Sequence, residues 1–298
     1  MVGEGLRGTG ELLQRIDARL AGLLPAGGDA LGAAMADAAL APGKRLRPLM
    51  TMIVAEDLGG PPDAALDVGC AVEMVHAASL VLDDLPCMDD AALRRGRPAL
   101  HRAHGEDVAV LAAVSLLTQA FGIVAATGGA CGEARLECLT LLSGAVGTQG
   151  LAAGQLNDLH GGRRARPLAE ILATNSLKTG ALFAASVEAG AVLAGAQGSR
   201  PALRAFADEI GQAFQLLDDL LDHQPMHVTG KDPGRDEGKS TVVSMLGAVP
   251  VEKRIERHLA QAHIHLEAVF GPRSRLAALV DDVFARTADM SEQEAGAR

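Results

Sequence analysis

The chain contains no tryptophan and no tyrosine, and its six phenylalanines are the whole of its aromatic content. Pleated sheets are built from aromatic and β-branched residues, so this scarcity points away from a β fold and towards an all-α one. Positive charge is also in short supply. Lys and Arg number 27 against 37 Asp and Glu, a net charge of −10, which argues against nucleic acid as a partner because a phosphate backbone needs a basic face. Cysteines are few (Cys70, Cys87, Cys131 and Cys138), with neither metal-ligand spacing nor the density of a secreted scaffold. Reduced thiols in the cytoplasm are the expectation. Residues 1–10 hold glycines and an acidic residue but no apolar segment, so no signal peptide is expected.

What is present is a helix-forming background. Hydrophobic residues make up 48%, with Ala and Leu dominant. Helical periodicity runs almost throughout, punctuated by Gly and Pro near residues 25–29, 59–62, 96–98, 127–133, 160–167, 195–201, 224–239 and 271–273. The intervals fit about ten or more helices, and no break is long enough to be a domain linker. The expected architecture is a single domain over 1–298: mostly antiparallel helices around a central cavity, with frayed ends at about 1–10 and 291–298. Residues 108–132 carry no charge and are long enough to span a bilayer. They also hold Ser115, Thr118 and Gln119, dissolve into a Gly-rich end and lack a close basic flank. The expectation is a helix buried on all sides in the bundle, with no membrane span.

Against this background two aspartate-rich clusters stand out, Asp83-Asp84-Leu85-Pro86-Cys87-Met88-Asp89-Asp90 and Asp218-Asp219-Leu220-Leu221-Asp222. Each ends an uncharged helical run. Carboxylates there are costly unless a cation meets them, and hard oxygen ligands without Cys or His suit Mg²⁺ and a phosphorylated substrate. Residues four apart on a helix differ by about 40° in azimuth, so Asp218 and Asp222 share a face, while Asp219 points about 100° away. In the first cluster Pro86 breaks the helix, so a distorted turn must bring Asp89 back to Asp83 and Asp84.

Basic groups accompany the acids: Lys44 and Arg47 at a helix start, Arg94 and Arg95 just after the first cluster, Lys178 in an apolar run, and Lys231 and Lys239 around a glycine-rich loop. Arginine forks and lysine charges answer phosphate oxygens, so the pattern suggests two anion sites, one bridged by metal and one purely basic. His76 precedes Asp83 by two helical turns and is either a satisfied boundary residue or a further donor to the metal-free site. Gln155, Asp158 and Gln215 are polar groups in apolar helical settings and need partners.

The motifs Gly-Lys-Arg-Leu-Arg-Pro (43–48), Glu-Met-Val-His (73–76), the two Asp clusters, Leu-Arg-Arg-Gly-Arg-Pro (93–98), Gly-Gln-Leu-Asn-Asp-Leu (154–159), Lys-Thr-Gly (178–180) and the Gly-Lys pairs at 230–231 and 238–239 occur in that order. In them the chain resembles the trans-isoprenyl diphosphate synthases over nearly its full length. It is most similar to the bacterial geranylgeranyl diphosphate synthases of carotenoid and photosynthetic-pigment pathways. Farnesyl synthases usually carry His immediately before the first Asp, where this chain has Leu82, and Gly-Asp where it has Ala113-Val114.

The resemblance implies an isoprenoid-synthase bundle and Mg²⁺-dependent condensation of isopentenyl diphosphate with dimethylallyl, geranyl or farnesyl diphosphate. Asp83, Asp84, Asp89 and Asp218, with Asp222, would hold about three Mg²⁺ against the allylic diphosphate. Arg94, Lys178, Thr179, Gln215, Lys231 and Lys239 would complete that shell. Lys44, Arg47, His76 and Arg95 would hold isopentenyl diphosphate without metal. The loop over 225–239 would be a lid. Ala78 and Ser79, small where the fifteen-carbon synthases are aromatic, would admit a twenty-carbon product. The family expectation is a homodimer. Farnesyl diphosphate synthesis is the alternative reading; a class I terpene cyclase and a non-catalytic synthase subunit are more remote.

Overall fold

The computed structural model describes residues 3–25, 28–161, 166–221 and 241–295. As expected, it is a bundle of helices. Helix α1 (Gly3–Leu23) buries Leu12, Ile16 and Leu20. The carboxylate of Asp29 caps α2 (Ala30–Ala39) by accepting from the Gly32 N–H at 2.6 Å. Helices α3 (Leu46–Asp57) and α4 (Pro62–Asp83) form the centre of the bundle, α4 opening on a proline whose missing N–H costs nothing in the first turn.

Next comes the only strand pair among the described residues, β1 (Leu93–Arg94) and β2 (Arg97–Pro98). Its two-residue turn places Arg95 at φ 54° and Gly96 at φ 74°, the left-handed pair that matches the twist of a tight hairpin. Helices α5 (Leu100–His104), α6 (Glu106–Ala126), α7 (Gly132–Val146), α8 (Leu151–Gly161), α9 (Leu168–Asn175) and α10 (Ala181–Leu193) follow. A π-helical turn, Ser176–Gly180, joins the last two without a break. Then come α11 (Arg200–Leu221), α12 (Val242–Leu246), α13 (Ala248–Phe270) and α14 (Arg275–Ala295).

Small residues let the central helices approach closely. A Cβ on Gly190 of α10 would lie 2.7 Å from the Thr51 carbonyl oxygen of α3, and one on Gly69 of α4 would lie 3.0 Å from Pro48 Cα. The Thr51 hydroxyl closes the same seam, donating to the Ser186 carbonyl at 3.0 Å. The core is thus thin in aromatics and dense in Ala, Val and Leu, with Phe183 and Phe206 as its largest members.

The structure corrects one expectation. Helix α6 is not buried on all sides. Ala109, Ala112, Ala113, Leu116, Ala120 and Val124 pack inwards, but Leu111 and Val114 remain 56% and 50% exposed. Its largely apolar composition reflects one face in the core and an outer face on which Val110, Leu111 and Val114 stay exposed.

Candidate active site

The first acidic cluster is shaped by the way α4 ends. Asp83 is its last residue and Asp84 its cap. Beyond Pro86 the chain folds back, so that the Asp89 N–H donates to the Asp83 carbonyl at 3.0 Å and the Ala91 N–H to that of Asp84 at 3.0 Å. This turn closes the gap that proline opens and sets Asp89 beside Asp83. Burial, helped by the like charge of Asp89, pushes the Asp83 carboxyl up to about 6.

Asp84 has a different neighbour. Buried, it receives both Arg94 Nε, at 3.0 and 3.1 Å, and the Arg94 terminal amino group. Burial works against the Arg94 charge, yet the bond to Asp84 and the charges of Asp84, Asp83 and Asp218 hold it above its ordinary value. Arg94 therefore lies in the field of both acidic clusters. Among the described residues no three acidic, His or Cys groups form a ready-made metal cage. Asp83, Asp89 and Asp218 nevertheless fit Mg²⁺, which keeps several waters and takes a few carboxylates together with substrate phosphates.

Lys178 stands on the π-helical turn, the local irregularity that interrupts its apolar run. Gln212 of α11 supports the turn by donating from Nε2 to the Leu172 carbonyl at 2.9 Å and to the Ser176 hydroxyl at 2.8 Å. Helix α8 presses on the turn through Gly154, where a Cβ would lie 2.4 Å from the Lys178 nitrogen. Lys178 Nζ donates to Asp158 at 2.8 Å. Burial would lower its pKa, but Asp158 and Asp83 outweigh that and keep it raised, hence charged. Thr179 donates to Gln215 Oε1 at 3.0 Å, and Gln215 in turn donates to the buried Asp219 at 2.9 Å. Asp219 thus fixes the Gln215 amide. Gln155 lies against the Met88 sulfur at 3.9 Å, with its buried Oε1 lacking a protein partner.

A second group of cations lies one helical turn or more back along α4. The Arg47 guanidinium sits 4.4 Å over the Phe183 ring, and its buried Nε has no acceptor among the described residues. Burial first, and Arg95 next, bring its pKa down to about 10, so it remains charged at neutral pH. Arg95 stacks so closely on the loop before α3 that a Cβ on Gly43 would lie 2.7 Å from its guanidinium. His76 is held well below its usual value by burial and by the surrounding Arg47, Arg95 and Arg94, so it offers a neutral imidazole. Lys44 is exposed in the same loop.

Of the residues singled out in the sequence, Asp83, Asp89, Arg94, Lys178 and Asp218 share one field, Thr179 and Gln215 form one hydrogen-bonded pair, and Arg47, His76 and Arg95 form a separate cluster. Ala78 is fully buried on α4, and the Ser79 hydroxyl donates to the His76 carbonyl at 2.8 Å. Asp222, Lys231, Lys239 and the loop over 225–239 lie outside the described residues. Sequence reading missed Arg45, Glu73 and Asp17, which pair beneath the arginine cluster, and Phe183 under Arg47. Arg45 and Glu73 lie inside the motifs at 43–48 and 73–76 but were given no role there, because their pairing joins residues distant along the chain; Asp17 and Phe183 belong to no motif.

A family model described as polyprenyl synthetase matches residues 29–269. The chain belongs to the polyprenyl synthetase family. It is 51% identical over 263 residues to a geranylgeranyl diphosphate synthase of Pantoea ananas, covering 87% of this chain and 86% of the relative. To a farnesyl diphosphate synthase of Bacillus subtilis it is 39% identical over 240 residues, covering 78% and 81%. Among solved structures, an apo FPP/GFPP synthase from Zymomonas mobilis superposes with a TM-score of 0.84 at 34% identity, covering 94% of this chain and 98% of that one. A geranyltransferase from Helicobacter pylori, complexed with magnesium and isoprenyl diphosphate, gives a TM-score of 0.84 at 27% identity, over 96% of this chain and 98% of that one. Polyprenyl synthetase membership and this all-α architecture agree.

Proposed function

We propose that this member of the family is a prenyltransferase that joins isopentenyl diphosphate to dimethylallyl, geranyl and farnesyl diphosphates, ending at all-trans geranylgeranyl diphosphate. The observation that carries the reading is the grouping of Asp83, Asp89 and Asp218 with Lys178 and Arg94, beside a second grouping of Arg47, His76 and Arg95 near Lys44, which we read as two anion sites. A transferase for two diphosphates needs both, whereas a cyclase needs only the first. Identity of 51% and 49% to two bacterial geranylgeranyl synthases, against 39% and 36% to two farnesyl synthases, supports the longer product, and carotenoid biosynthesis is the use we assign to it.

Asp83, Asp89 and Asp218, with Asp222, would hold the Mg²⁺ ions, about three as the allylic diphosphate leaves; Asp84, expected as a further ligand, is instead engaged by Arg94. When bound, the metal supplies Lewis-acid stabilisation of the charge on that leaving group. Asp84 aims Arg94, and Asp158 aims Lys178, so both cations are set before charge develops and need no reorganisation. Lys231, Lys239, Thr179 and Gln215 complete the shell in this reading. Ionisation leaves an allylic cation; the isopentenyl double bond attacks it, and the proton lost in re-forming the alkene goes to the released diphosphate. Apolar helices poor in hydroxyl groups would keep water from the cation.

We further assign the cytoplasm, which four free cysteines suit, and a homodimer, in which a second copy would cover the apolar outer face of α6. The experiment is release of diphosphate by the purified chain with Mg²⁺. Release that requires isopentenyl and farnesyl diphosphates together supports the transferase. Release from farnesyl diphosphate alone would mean a cyclase, and none at all a non-catalytic subunit.

A further inference from the structure

Beneath the arginine cluster lies a three-residue set that the reaction as derived above does not use. Arg45 stands between Lys44 and Arg47 in sequence, yet it points into the protein. Its side chain is 5% exposed, with NH1 donating to Glu73 Oε1 at 2.9 Å and Nε donating to Asp17 Oδ1 at 3.0 Å. Glu73 is equally buried, at 4%, and lies on α4 one turn before His76. Asp17 belongs to α1, which precedes the stretch matched by the family model.

The backbone records the same constraint. Arg45 caps α3 at φ 47° and ψ 35°, the left-handed region that a non-glycine side chain enters only when its surroundings over-determine it. Two carboxylates from two different helices supply that determination. The consequence falls on the neighbours. With Arg45 turned inwards, Lys44 remains outside the helix and Arg47 enters its first turn, over Phe183. Glu73 also has an electrostatic part. It is a buried carboxylate in the field of Arg45, Arg47 and Arg95, opposing the burial, and next the neighbouring arginines, that lower Arg47 and Arg95. Like charges crowded without such a counter-ion would spread apart.

We propose that Asp17, Arg45 and Glu73 are positioning residues for the isopentenyl diphosphate site: α1 and α4 jointly hold the Arg45 cap, and that cap sets the geometry of Lys44, Arg47 and Arg95. The inference rests on the assignment of those three cations to isopentenyl diphosphate. It gives α1 a role in the active site although it contributes no group that touches substrate.

Steady-state kinetics on the full chain with Mg²⁺ test it, varying isopentenyl diphosphate at saturating farnesyl diphosphate and then the reverse. Glu73→Gln keeps shape and removes charge; the isopentenyl KM should rise about tenfold, with the farnesyl KM moving less than about twofold. Asp17→Asn changes a carboxylate that is 58% exposed and leaves the fold intact, so it decides the matter if Glu73→Gln fails to fold. Its isopentenyl KM should rise about threefold, and Asp17→Glu should restore most of that. Arg47→Ala serves as the control for the site itself. A raised isopentenyl KM in Arg47→Ala beside unchanged values in Glu73→Gln and Asp17→Asn overturns the positioning role and leaves the site standing. Unchanged values in all three overturn the site and the role together. Equal rises for both substrates in Glu73→Gln and Asp17→Asn reduce the set to general stability and also overturn the role.

Discussion

Asp83 shows how a single residue is set for its chemistry at a cost to the fold. Its carboxyl rises from an ordinary 3.8 to about 6, so the folded protein without metal binds the proton more tightly than the unfolded chain does. Stability from this group is full below about 4 and is lost as pH rises through about 6, reaching about 3 kcal/mol at most. Asp83→Asn should therefore stabilise the metal-free protein at pH 7 by about 1–3 kcal/mol in urea unfolding, while turnover falls by roughly a thousandfold. A destabilised variant would mean that the carboxylate is a structural anchor. Lys178 is the opposite case, a cation whose charge Asp158 and Asp83 secure. Lys178→Ala should lower kcat by about two to three decades at saturating substrates; a change in KM alone would make it a binding group only. Both residues were legible in the sequence, because a charge in an apolar helical run demands a reason. Asp84 was legible as important, but its commitment to Arg94 depends on which way the cap turns, and that is settled only when α4 ends.

Among the elements, the π-helical turn and α4 do most to place chemistry. The turn inserts one residue into a continuous helix, a change too small to disturb the apolar periodicity from which the helix itself was read. The amide that sustains it, Gln212, comes from α11. A glycine contact then fixes its position: Gly154→Ala would drive a methyl group into the Lys178 backbone. That substitution should cost about 1–3 kcal/mol in unfolding free energy and raise the KM for the allylic substrate, since Lys178 and Thr179 move with the turn. A variant with normal stability and kinetics would show that α8 can yield at this point. In α4, Ala78 and Ser79 lie about 7.5 and 6 Å back from Asp83 by helix rise, and we propose that a growing chain passes them. Ala78→Tyr should shift the product towards fifteen carbons without slowing primer ionisation, as read by mass spectrometry. An unchanged product would put the length stop elsewhere.

At the scale of the whole molecule, Gly and Pro punctuation located breaks such as those at 59–62, 127–133, 195–201 and 271–273, because those residues act locally. It missed the breaks at 40–45, 105, 147–150 and 247. The outer face of α6 did not follow from it either. A run without charge reads the same whether neighbours in the chain or another molecule bury its second side, and in this structure Leu111 and Val114 face outwards. Leu111→Glu should convert the proposed dimer into a monomer in light scattering, with the helix content unchanged; an unaltered mass would place the interface on another surface. The account as a whole rests on elongation to a defined length. The direct measurement is the mass of the product made by the wild-type chain from isopentenyl and farnesyl diphosphates with Mg²⁺. The account predicts geranylgeranyl diphosphate and one diphosphate released per condensation; farnesyl diphosphate left unextended, or a cyclised hydrocarbon in its place, would contradict it.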